Sequence, residues 1–89
     1  MSKFTMKALE DCFNGAIERN MSYVGVSIKM EGLTENEIII NPIANAKDKL
    51  EYYRQAYDED LTHKYAGSDI QIVKVASSNI LSNLANYLK

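Results

Sequence analysis

The chain has no tryptophan and only one proline, one histidine and one cysteine. Each shortage closes off a class of explanation. A lone cysteine, Cys12, makes no intramolecular disulfide, and a secreted protein of this size usually carries an even set. The expectation is a cytoplasmic protein. General base catalysis by the lone histidine, His63, needs a positioned partner and a pocket, and its neighbours Asp60 and Lys64 form no triad. An excess of one charge is missing too. Twelve acidic and 10 basic side chains leave a net charge of −2, with both signs interspersed. Phosphate backbones call for a clustered basic face, so nucleic acid is an unexpected partner. The longest apolar run is 38–40, far too short to span a membrane. The opening residues carry acidic groups early and lack the apolar core of a signal peptide. No G-x-G-x-x-G, Walker-type loop, G-x-S-x-G or H-E-x-x-H occurs, so no cofactor is implied.

What is present is an ordinary globular composition, 46% hydrophobic and 25% charged, which argues against disorder. Residues 1–89 read as a single α+β domain. Thr5 is placed to cap a helix reaching about residue 20, with Met6, Leu9, Phe13, Ala16 and Ile17 on one face. Cys12 lies beside that stripe, where a small buried apolar residue is the default. Residues 22–31 alternate strictly: Val24, Val26, Ile28 and Met30 point one way and Tyr23, Ser27 and Lys29 the other. Residues 37–41 form a second strand and close a hairpin.

Asn41-Pro42 reads as a cap followed by the first residue of a long helix. Ile43, Ala46, Leu50, Tyr53, Tyr57 and Leu61 form its apolar stripe. The helix ends near Tyr57 or continues to Lys64. Residues 69–76 form a third strand, apolar on both sides, which implies either cover on two faces or a bulge. Ser77 or Ser78 then caps a last helix over 79–88. The order is αββαβα, and the sequence predicts a three-stranded antiparallel sheet, order 2-1-3, with the long helix across one face. A doubly apolar strand in so small a chain also points to a homo-oligomer.

Tyr52 falls opposite the core stripe, near Tyr65 and the run Asp58, Glu59, Asp60. Tyrosine is rigid and amphipathic and recurs at interface hot spots, so these five residues are candidate partner-binding groups. The plainer reading is a solvated polar face with a stray ring. The acids, with Asp69, do not form a metal site, because consecutive carboxylates on a helix do not converge and no EF-hand pattern is present. Lys29, Lys74 and Tyr23 on the outer sheet face are a slender basis for stacking a single strand of nucleic acid.

The string Glu51, Tyr52, Tyr53, Ala56, Tyr57, Asp58, Glu59, Asp60, Leu61, set within residues 49–75, resembles a segment of small uncharacterised phage and prophage proteins of Gram-positive bacteria. The resemblance covers about a third of the chain. It implies a mobile-element origin, with a host or phage protein as partner, and carries over no catalytic residue. The resulting expectation is a non-enzymatic, oligomerising interaction protein. The alternatives are a nucleic-acid-binding regulator and a small enzyme with a site at His63 or Cys12.

Overall fold

The computed structural model describes residues 4–89, so the first part of the signal-peptide reading, residues 1–3, lies outside the described residues. Helix α1 (Met6–Glu18) forms where the apolar spacing places it and buries Met6, Leu9, Phe13 and Ala16. Thr5 is extended and its side chain makes no cap hydrogen bond. Backbone groups hold that end instead: Met6 N–H donates to the Glu59 carbonyl at 2.8 Å. The other end closes at Asn20, whose φ of 52° is left-handed, with Met21 N–H returning to the Ala16 carbonyl.

Strands β1 (Tyr23–Met30) and β2 (Glu37–Pro42) form the expected hairpin. The helix after it differs from expectation. Pro42 ends β2 rather than starting a helix, with φ −59° and ψ 150°. The reason lies one residue on: Ile43 N–H donates to the Ser22 carbonyl at 3.0 Å, which extends the ladder past the proline. A 3-10 turn (Ile43–Asn45) follows, and α2 runs only over Ala46–Ala56. Tyr57 is extended, so the shorter of the two helix readings holds. Leu61 then takes a left-handed φ of 64° while fully buried. It belongs to the core, but from a turn and not from a helical stripe.

That turn sends the chain back as a two-residue strand, β3 (Thr62–His63), against β4 (Gly67–Ser78). The sheet therefore has four antiparallel strands in the order β2-β1-β4-β3, not three. The three longer strands keep the expected arrangement, and β3 is added outside them. Two residues are too few to display a period of two, which is why the sequence hides this strand.

The doubly apolar third strand resolves as a bulge. Ser27 faces Lys74 and Ile28 faces Ile72, leaving Val73 without an opposite number. The extra residue switches the alternation, so Ile70, Ile72 and Val75 all share the face of Val24, Val26 and Ile28. Helices α1 and α2 cover that face and complete the main core with Leu50, Tyr53 and Tyr57. The last helix, α3 (Leu81–Leu88), covers the opposite face with Leu84 and Leu88. Helices thus lie on both sides of the sheet, so the doubly apolar strand is covered on two faces as well as bulged, with α2 across one face as the sequence pointed to. Gly25 marks the contact: a Cβ there would sit 2.9 Å from both the Ile39 carbonyl and Leu88 Cδ1.

A candidate aromatic cleft between the second helix and the sheet

Helix α2 does not cover its sheet face to the edge. Beside it opens a cleft of about 250 Å³. Its floor is Ile28, Met30, Ile39 and Ile70, and its walls are Glu37, Lys49, Tyr52, Tyr53, Tyr57 and His63. The aromatic wall follows from spacing. Tyr53 and Tyr57 are four residues apart and both turn inward, to 2% and 6% exposure, whereas Tyr52, one step round the helix, is 53% exposed.

The rings form a continuous ladder. Tyr52 meets Tyr53 at 5.6 Å between centroids, Tyr53 meets Tyr57 at 6.0 Å, and Tyr57 meets His63 at 5.3 Å, all edge to face. His63 then meets Tyr65 at 5.9 Å. Edge-to-face contacts at these distances suit the ring quadrupoles. Lys49 Nζ lies 5.2 Å from the Tyr52 ring and 5.4 Å from the Tyr53 ring, within cation–π range.

Protonation follows from burial. Desolvation pushes the Tyr53 hydroxyl well above the ordinary tyrosine value, reinforced by Tyr57, Tyr52 and Glu37. Tyr57 shifts the same way, again mainly through burial. Both phenols stay neutral at ordinary pH and offer apolar faces and O–H donors. His63 Nδ1 accepts N–H bonds from Tyr65 at 3.1 Å and Ala66 at 3.2 Å. Its ring proton therefore sits on Nε2, and the imidazole fastens the turn into β4 while lining the cleft.

The structure separates the five candidate partner-binding residues. Tyr52 and Tyr65 stand at the two ends of the ladder, and Tyr65 is 91% exposed. Asp58 and Glu59 face a different groove, of about 280 Å³, with Glu10, Arg54 and Lys64. Arg54 Nε bonds Glu10 Oε2 there at 2.8 Å, tying α2 to α1. Asp60 Oδ1 accepts from Thr62 N–H and Oγ1, at 3.1 and 2.6 Å, and so shapes the turn before β3. Lys49, Glu37 and Ile39 were not picked out as site residues from the sequence. Lys49 carried a usable signal, since it precedes Tyr52 and Tyr53 by three and four residues.

The other candidates lie elsewhere. Lys29 and Lys74 share the outer sheet face, but α3 packs over it, and Lys74 Nζ donates to the carbonyls of Tyr87 and Lys89. Cys12 is half-buried on α1 and is not among the residues lining the cleft. Burial raises its thiol pKa, with Arg19 opposing. Among the described residues no group of three or more His, Cys, Asp and Glu side chains is placed to hold a metal ion. No described helix is long and apolar enough to cross a membrane. No family model, curated protein or solved structure matches this chain.

Proposed function

We propose that this chain is a non-enzymatic protein-interaction module that holds a segment of a partner protein in the aromatic cleft. One observation carries the reading: a ladder of rings from Tyr52 to His63 lines an apolar floor and continues past the cleft to Tyr65, with both end tyrosines exposed. Rigid aromatic groups bury large area at small entropic cost, and a few such anchors dominate typical interfaces. Lys49 and Glu37 place one charge of each sign at the cleft, which suits fixing the orientation of a bound segment. The fitting occupant is an apolar or aromatic side chain on an extended stretch of partner. A single thiol agrees with a cytoplasmic setting.

The test replaces Tyr52 by a photo-reactive phenylalanine and irradiates it in extract of the source cells. Tyr87, also exposed but on α3, receives the same replacement as the control. One discrete cross-linked partner from position 52 and none from position 87 supports the reading. Tyr52→Ala is expected to weaken capture of that partner about 30-fold, the scale of an interface hot spot. Tyr65→Ala is expected to weaken it less. Capture that survives both substitutions overturns the assignment.

A further inference from the structure

Strand β2 is a bare edge. Among the described residues no strand lies on its outer side. The aromatic cleft flanks it on one face, at Glu37 and Ile39. A second depression, of about 450 Å³ and bordered by Thr34, Glu35, Asn36, Ile38 and Lys89, flanks it on the other. The strand reads Glu37-Ile38-Ile39-Ile40-Asn41-Pro42. Natural sheets usually protect such an edge with lysines, inward charges or a bulge. Here the middle is three isoleucines, each half-buried, paired to β1 without a register shift.

The ladder shows which groups face outward. Ile43 N–H goes to the Ser22 carbonyl, so the residues at alternate positions before it, Asn41, Ile39 and Glu37, also turn their backbone groups to β1. Ile38, Ile40 and Pro42 turn theirs away from it. The chain's only proline therefore sits where its missing N–H breaks no internal bond, as an edge position allows.

We propose that β2 pairs with β2 of a second copy, antiparallel, about a two-fold axis at Ile39. The outward groups match in this register. Ile38 exchanges both backbone hydrogen bonds with Ile40 of the second copy, and Ile40 with its Ile38. Asn36 N–H meets the Pro42 carbonyl, which asks nothing of the absent proline donor. The side chains match as well. Ile39 meets Ile39, Ile38 meets Ile40, and the Glu37 carboxylate falls opposite the Asn41 amide. Sliding the register by two residues brings Glu37 opposite Ile39, or sets Ile38 against a proline that cannot donate. No like charges oppose each other in the register on Ile39, so the self-pairing is electrostatically free of conflict. The product is a continuous eight-stranded sheet with two aromatic clefts side by side across the axis. This inference rests on the edge and not on the occupant of the cleft.

Sedimentation equilibrium of the whole chain at micromolar concentration is expected to give twice the monomer mass. Ile39→Lys and Ile39→Glu each place like charges on the axis and are expected to weaken the dimer more than about tenfold. Mixing the two is expected to restore it as a heterodimer. In a Cys12→Ala background, Ile39→Cys is expected to form an intermolecular disulfide on mild oxidation, because non-hydrogen-bonded antiparallel neighbours bring their Cβ atoms within reach. Ile40→Cys, whose opposite is Ile38, is expected to stay reduced. Tyr52→Ala leaves the mass doubled, which separates this test from that of partner capture. A monomer at every concentration overturns the proposal. So does a dimer that survives Ile39→Lys without cross-linking through Ile39→Cys.

Discussion

Two small residues on β1 share the side of the sheet under α3 and have opposite consequences. Gly25 is sealed between the Ile39 carbonyl and Leu88 Cδ1, so an added methyl has to push backbone as well as a side chain. Gly25→Ala is expected to destabilise by about 1–3 kcal/mol in urea unfolding, the usual scale of overpacking. Ser27, two positions on, is fully buried, and its Oγ has no hydrogen-bond partner. Removing an orphaned hydroxyl relieves its desolvation, so Ser27→Ala is expected to be neutral or stabilising by up to about 1 kcal/mol. The same denaturation series checks both. The thiol of Cys12 differs again. With its pKa raised by burial it holds little thiolate at neutral pH, and alkylation is expected to be much slower than that of a free thiol reagent run alongside.

At the scale of elements, what the sequence made legible is what repeats. The stripe Met6, Leu9, Phe13, Ala16 and the alternation Val24, Val26, Ile28 each span enough residues to declare a period, and both elements stand where that period puts them. Single events left weaker traces. Leu61 falls on the helical wheel with Leu50 and Tyr57, yet one left-handed torsion delivers it to the core from a turn. Asn41-Pro42 carries the composition of a helix start, but the ladder bond from Ile43 to Ser22 competes for the same backbone and wins. The doubled apolar faces of β4 announced a bulge or double cover without choosing between them, and the structure has both: Val73 is unpaired, and helices pack on either side of the strand. The cleft was half legible: Tyr52 and Tyr65 stand out by exposure, whereas their connection through His63 depends on β3. Helix α3 is more lightly secured than β1. Leu84 and Leu88 anchor it, while Ile80, Leu81 and Tyr87 are about half-exposed. Its amides, residues 81–88, are expected to exchange with deuterium well before those of β1, as read by exchange mass spectrometry.

For the molecule as a whole, the tyrosines link stability to alkaline pH. The folded state holds the protons of Tyr53 and Tyr57 more tightly than the unfolded chain does, whose tyrosines titrate near 10.0. Their contribution is complete below about pH 10 and is lost as pH rises above it. The unfolding midpoint is expected to fall steeply beyond pH 10, and Tyr53→Phe is expected to flatten that fall. A slope unaffected by Tyr53→Phe counts against the buried phenol as its origin.

The strand order also sets a sequence of events. β1 lies in the middle of the sheet, and its first neighbour, β2, arrives through a short turn. Its other neighbour pairs Met30 with Ile70 and Tyr23 with Ser78, across the span that contains all of α2. Closing so wide a loop is slow compared with forming a local hairpin. While the chain emerges from the ribosome, one flank of β1 waits bare until α2, β3 and β4 have followed it. During that interval the nascent hairpin is the species most open to capture by a chaperone or by a neighbouring nascent chain.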